Sequence, residues 1–163
     1  MKFLKCVLYL MATGVLGFFL GRILPKRWLV PQKGVFQCFH VERNGKLYED
    51  MGIKKWQKKV PDMSRILPFM MPPKNLMGDY EKRLPVMIME TCKAELTHGL
   101  LCLTGLPALW ILPGAGGVCV YILYVVVFNL PYILIQRYNR PRLIRLYEKQ
   151  KAKEQKHKEC IAV

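Results

Sequence analysis

Thr91, Glu95 and His98 are separated by four and three residues, the spacing at which side chains return to one face of an α-helix, while Glu90, Lys93 and Thr97 form a neighbouring stripe. An imidazole one turn from a carboxylate can take a proton from a hydroxyl while the carboxylate orients it or stabilises its cation. His98 and Glu95 are therefore candidates for a general base and its assistant, with Glu90 beside them. A second polar block, Gln136-Arg137-Tyr138-Asn139-Arg140, offers guanidinium groups that can bind phosphate or the cofactor part of a thioester, or can neutralise Glu90. The competing reading of both blocks is an ion-pair network that locks two helices together, because ionisable groups at a membrane boundary serve either purpose. Glycine-rich phosphate loops, a GxSxG elbow and an HExxH pair are absent from the sequence, which disfavours soluble hydrolases and metalloproteases.

The elements that must position these groups are apolar. Gly99–Leu112 supplies 14 apolar or small residues and Val118–Ile135 supplies 18 without a charge, interrupted only by Asn129 and Pro131. Joined by Pro113-Gly114-Ala115-Gly116-Gly117 they read as a helical hairpin set into a bilayer. If the turn centres near Ala115, antiparallel pairing places Asn129 near Leu101, Gln136 near Ala94, Arg137 near Lys93 and Arg140 near Glu90. The uncharged run Cys6–Gly21, extended by Phe3 and Leu4, reads as a further membrane helix. Gly17-Phe18-Phe19-Leu20-Gly21 offers no small-x-small cleavage site, so an uncleaved anchor is expected.

The chain of 163 residues is 52% hydrophobic yet carries a formal charge of +15, so apolar and charged residues must be segregated. Arg22–Arg83 holds 14 basic and 6 acidic residues and Arg137–Val163 holds 9 basic and 3 acidic, whereas the turn of the hairpin has no charge. Lys and Arg bordering membrane-length runs are attracted to anionic headgroups by about 1 kcal/mol each, so a lipid surface, not nucleic acid, is the expected partner. The same asymmetry predicts a multi-pass protein of the cell membrane with its central segment and tail cytoplasmic. The six cysteines form no CxxC pair and four lie in or beside apolar runs, which predicts neither a disulfide framework nor zinc.

Between the first helix and the hairpin, Val35–Glu42 and Lys46–Asp50 flank Asn44-Gly45, a pair suited to a type I′ turn, so a small β-hairpin is expected there. In Gly52–Val60, Ile53, Trp56 and Val60 share a helical face opposite four lysines, the pattern of an interfacial amphipathic helix. The proline-broken Leu67–Pro73 stretch is expected to lie at the bilayer edge or to cover a cavity, and Leu143–Lys158 reads as a basic, solvated or headgroup-bound helix. The expected fold is thus an all-α integral membrane protein. About three membrane helices are joined by interfacial helices and the small hairpin, within one membrane domain spanning 1–163: an anchor (1–24), a basic interfacial segment (25–83), the helical hairpin (84–140) and a basic tail (141–163).

Several blocks together are distinctive: Gly45-Lys46-Leu47-Tyr48-Glu49, then Ile53-Lys54-Lys55-Trp56 with Pro61-Asp62, then Glu90-Thr91-x-x-Ala94-Glu95-x-x-His98, then Asn129-x-Pro131 and Gln136-Arg137-Tyr138-Asn139-Arg140-Pro141-Arg142-Leu143. From Gly45 to Tyr147 the chain resembles the small membrane glycosyl-4,4'-diaponeurosporenoate acyltransferases. The resemblance implies transfer of a fatty acyl chain to the primary sugar hydroxyl of a glycosylated C30 carotenoid, completing a staphyloxanthin-type pigment. It implies no bound cofactor, a thioester donor (acyl-CoA or acyl carrier protein) and a glycosylated lipid acceptor. Within the matching blocks His98, Glu95 and Glu90 are the catalytic candidates, and Lys55, Trp56, Asp62, Asn129, Arg137, Tyr138, Asn139 and Arg140 the candidate substrate contacts. Two other expectations compete: a non-enzymatic membrane subunit or scaffold, and an acyltransferase for a different lipid-linked acceptor.

Overall fold

In the computed structural model residues 1–61 and 80–161 are described, and they are built from helices alone. The order is α1 (Lys2–Ile23), α2 (Lys46–Asp50), α3 (Ile53–Trp56), α4 (Tyr80–Thr104), α5 (Ala108–Ile111), α6 (Ala115–Phe128) and α7 (Leu130–Ile161), with short 3-10 turns between α1 and α2 and after α3. Three helical stretches, Lys2–Ile23, Arg83–Ile111 and Ala115–Cys160, are long and apolar enough to cross a membrane. The 22 residues of α1 rise about 33 Å, the thickness of a hydrocarbon core. Asp62 and the Leu67–Pro73 stretch lie outside the described residues.

The hairpin turns where the sequence places it. α5 ends at Ile111 and α6 begins at Ala115, and the turn is so tight that a Cβ on Gly117 would fall 1.7 Å from the Leu112 carbonyl oxygen. Only glycine fits there. α1 lies against α4 and α5 through small residues: a Cβ on Gly17 would meet Leu101 at 2.7 Å and one on Gly21 would meet the Thr97 hydroxyl at 2.9 Å. Two glycines four residues apart let the backbones approach closely, which in lipid replaces the missing hydrophobic drive with packing contact. Cys6, Leu10 and Ala108 form the buried cluster at the other end of this contact. At the end of α4 the Leu101 and Leu103 carbonyls accept from the Gly105 and Leu106 N–H groups, and tyrosine hydroxyls serve the other two: Tyr9 donates to Thr104 at 2.7 Å and Tyr121 to Cys102 at 3.0 Å.

The expected β-hairpin about Asn44-Gly45 does not form. Arg43 and Asn44 do take the left-handed conformation (φ 46° and 56°), but they end a 3-10 segment, His40–Gly45, that leads directly into α2. Strand pairing fails because the groups a ladder would use are engaged elsewhere. The Val35, Phe36 and Gln37 carbonyls accept from arginines on α7, and the Glu42 carboxylate folds back on the Phe39 N–H at 2.7 Å. The segment after it is amphipathic, with Ile53 buried, Trp56 half-buried and Lys54, Lys55, Lys58 and Lys59 exposed, and its apolar face is turned onto the protein. Ile53 packs with Tyr48 and Tyr138, and Trp56, Leu134 and Ile135 surround the three. The basic tail is the unbroken continuation of α7.

Candidate active site

Two polar layers occupy the interface of α4 with α6 and α7. The outer layer holds four charges. Arg137 Nε and Nη1 lie 2.5 Å from Glu42 and Glu95 respectively, Nη2 donates to the second Glu42 oxygen at 3.1 Å, and Nη1 and Nη2 also donate to the Val35 and Gln37 carbonyls. All five N–H bonds of Arg137 are thus taken up within the protein. Arg140 donates to Glu95, to the Thr91 hydroxyl at 3.0 Å, to the Thr91 carbonyl at 3.3 Å and to the Phe36 carbonyl at 2.9 Å. The guanidinium groups of Arg137 and Arg140 also cover the rings of Phe39 and Phe36. Two carboxylates balance two guanidiniums, and none of the four side chains exposes more than 11% of its surface. This neutrality is what lets the group sit at a buried helix interface.

Glu42 also accepts from the Tyr48 hydroxyl. Burial works against its charge but is outweighed by the hydrogen bonds from Arg137, Tyr48 and the Phe39 N–H and by the Arg137 charge, so its carboxyl is pulled down to about 2. Burial, then the neighbouring Glu42, pushes the Tyr48 phenol up, so its hydroxyl remains a donor. A carboxyl depressed in the folded state stabilises fully above its unfolded value near 4.5 and loses that contribution as pH falls toward 2. Thermal melts in detergent between pH 5 and pH 2 should therefore fall more steeply for the wild type than for Glu42→Gln; parallel curves would remove Glu42 as the acid-sensitive lock.

The inner layer, deeper between the helices, contains His98. Its Nδ1 lies 3.1 Å from Asn129 Oδ1, and its ring stacks on Tyr132 at 4.6 Å between centroids and 7° between planes. Tyr132 in turn donates its hydroxyl to the Pro61 carbonyl at 3.0 Å. Asn129 sits at the break between α6 and α7, where Pro131 lacks an N–H and interrupts the helical ladder. Its Nδ2 reaches back to the Tyr124 carbonyl at 3.0 Å, and the residue is 1% exposed. That bond fixes the amide, because Nδ2 is the only donor on the side chain. Oδ1 must face His98, which then holds its proton on Nδ1 and its lone pair on Nε2.

The two sequence blocks do meet, within about one helical turn of the expected register. Asn129 pairs with His98, one turn from Leu101; Arg140 meets Thr91, next to Glu90; and Arg137 meets Glu95, not Lys93. Glu95 is joined to the two arginines, while the hydrogen-bond partner of His98 is Asn129. Glu90 is half-exposed and pairs with Lys93 one turn along its own helix. Tyr138 is fully buried and donates to Glu49 at 3.2 Å, Asn139 is half-buried, Trp56 donates to the Met51 carbonyl at 3.4 Å, and Lys55 is exposed. Glu42, Thr91 and Tyr132 are the participants that the candidate set lacks. With Glu90 paired to Lys93, two buried arginines face Glu95 alone on α4, and Glu42 supplies the second carboxylate.

A cleft of about 270 Å³ opens beside the outer layer, lined by Phe36, Cys38, Glu42, Arg137, Arg140 and Arg145 among others. Burial pushes the Cys38 thiol up, which disfavours a thiolate nucleophile there.

The family model for glycosyl-4,4'-diaponeurosporenoate acyltransferase matches residues 31–149, a span that includes both polar layers. Proteins named glycosyl-4,4'-diaponeurosporenoate acyltransferase from Staphylococcus aureus strains Newman and N315 are 31% and 30% identical to the chain over 140 residues, covering 85% of it and 83% of each relative. No solved structure matches the chain. With the match extending through the helical hairpin and its two polar layers, the chain belongs to the glycosyl-4,4'-diaponeurosporenoate acyltransferase family.

Proposed function

We propose that the protein transfers a fatty acyl group from a thioester to the primary sugar hydroxyl of a glycosylated carotenoid, with His98 as the general base. The observation that carries the assignment is the pairing of His98 Nδ1 with Asn129 Oδ1 at 3.1 Å while Asn129 Nδ2 is held by the Tyr124 carbonyl. Such a pair turns the basic Nε2 away from Asn129 and holds it ready for a hydroxyl. The hydroxyl oxygen attacks the thioester carbonyl as its proton passes to Nε2; the carbon–sulfur bond then breaks, and the departing thiolate takes that proton from the imidazolium. The products are an ester and a free thiol, and the base returns to its starting form.

Arg137, Arg140, Glu42 and Glu95 serve in this reading as positioning residues. Their saturated network holds α4 and α7 in the register that brings His98 to Asn129, and the acceptor's apolar body lies along the membrane helices. The basic central segment and tail face the cytoplasm, where the lysines of the central segment meet anionic headgroups. The reading is tested by reconstituting the full chain in nanodiscs with a glycosylated C30 carotenoid acid and a palmitoyl thioester. A saponifiable product heavier by one acyl group is expected, and an unchanged carotenoid with every thioester offered would overturn it.

A further inference from the structure

Beyond the polar layers α7 carries a row of cations of which Arg145 alone borders the cleft. Arg142, Arg145, Lys149, Lys153 and Lys156 follow one another at spacings of three, four, four and three residues and fall within an arc of about 80° on the helix. All five are exposed. Among the described residues no carboxylate lies within ion-pair distance of any of them. The acidic residues of this stretch, Glu148, Glu154 and Glu159, lie off the stripe, and Glu154 accepts from Gln150 at 2.9 Å. Like charges three and four residues apart destabilise a helix. The stripe therefore works against the element that carries it, and from Arg145 to Lys156 it runs without a paired carboxylate for about 16 Å.

Two observations separate a protein partner from a lipid surface. A helix lying in the headgroup layer needs an apolar face, and between Glu148 and Glu159 the only non-polar residue is Ala152. The helix also runs from Leu130 to Ile161 without a break in its assignment, with Pro141 inside it, so the tail projects from the end of the membrane-length stretch as part of the same element. Lys149, Lys153 and Lys156 follow Arg140 by about 14, 20 and 24 Å along the helix axis. The potential of an anionic membrane falls off within about 8 Å at physiological salt, so these lysines extend beyond its reach.

We infer that this stripe is a docking surface for an acidic carrier protein that presents the acyl group as a thioester. The inference rests on the acyl-transfer reading and names the form of its donor. At the base of the stripe Arg142 covers the Tyr138 ring and Arg145 donates to the Asn44 carbonyl, while Lys149, Lys153 and Lys156 are held by no side chain among the described residues. These three lysines suit an acidic helix, and the docked carrier delivers its flexible thioester arm back toward the polar layers at the base of α7. Complementary charge of this kind raises the rate of encounter and makes it dependent on salt.

The test uses the full chain in nanodiscs of neutral lipid, with palmitoyl acyl carrier protein as the probe. Lys149→Glu, Lys153→Glu and Lys156→Glu together should weaken carrier binding at least tenfold at low salt and raise the KM for the carrier-bound donor with kcat unchanged. Transfer from palmitoyl-coenzyme A should stay within about twofold, and the wild type's own binding should fall steeply as salt rises. Equal binding by the wild type and the triple variant would overturn the proposal. So would a wild type that ignores the carrier but gains adhesion to phosphatidylglycerol vesicles through these lysines, which would make the stripe a lipid contact. Binding is read without turnover and can be repeated in His98→Ala. A failed docking surface is thereby distinguished from a failed acyl-transfer reading: in the former the wild type binds the carrier no better than the triple variant while transfer from coenzyme A persists, and in the latter transfer is absent with every donor while the lysine-dependent binding persists.

Discussion

His98→Ala should insert, fold and purify like the wild type and yet transfer acyl groups about a thousandfold more slowly. General-base catalysis by a positioned imidazole contributes roughly 10²–10⁴ in rate, and no other imidazole lies in the inner layer; His40 and His157 are in the 3-10 segment and the exposed tail. The fold should tolerate the change, because the ring contributes one side-chain hydrogen bond and one stacking contact, each worth about 1 kcal/mol. Asn129 then gives the finer test. With alanine there, His98 loses the acceptor that fixes its tautomer, so kcat should fall tenfold to a hundredfold while the acceptor KM is unchanged. A raised KM with unchanged kcat would make Asn129 a contact to the acceptor, and His98→Ala activity within a few-fold of the wild type would end the assignment of His98 as base. Yield and thermal stability of each variant, measured alongside, separate chemistry from folding.

The sequence carries most of the architecture and part of the site, and the division has a physical cause. The membrane-length helices are legible because their runs are long and uncharged, and the turn at Pro113–Gly117 is legible because glycine and proline punctuate helices. The register of α4 against α7 follows from helix rise alone, which brings Glu90–His98 to Gln136–Arg140 but fixes partners only to about one turn. Within that uncertainty the choice between Lys93 and Glu95 as neighbour of Arg137 is decided by charge, and the carboxylate wins. What local sequence cannot supply is Glu42. It lies 95 residues from Arg137 in a segment whose alternation and Asn-Gly pair favour strands, and tertiary demand overrides that preference: the buried arginines take the Val35, Phe36 and Gln37 carbonyls out of any ladder and hold the Glu42 carboxylate beside them. The role of Asn129 was legible in type, as a polar side chain in an apolar run, and its engagement of His98 required the break that Pro131 produces.

The strongest effect on stability should come from Glu95. Its two oxygens are divided between Arg137 and Arg140, and Arg140, 3% exposed, has no other carboxylate within ion-pair distance among the described residues. Glu95→Ala leaves the Arg140 guanidinium buried without a counter-charge, whereas Arg137 keeps Glu42. Removing one partner of a buried ion pair costs about 3–5 kcal/mol, most of it the penalty for the charge left behind. Deleting that charge as well should recover part of the loss. The double variant Glu95→Ala/Arg140→Met should therefore melt above Glu95→Ala alone, with a coupling of about 1–3 kcal/mol in a double-mutant cycle measured by thermal unfolding in detergent. Glu95→Gln, which keeps an acceptor for Arg140, should fall between the wild type and Glu95→Ala. Because this network sets the register of α4 on α7, acyl transfer in these variants should follow the folded fraction. If Glu95→Ala melted like the wild type but lost activity as completely as His98→Ala, the carboxylate would belong to the chemistry and the lock would have to be sought in Glu42 and Arg137 alone.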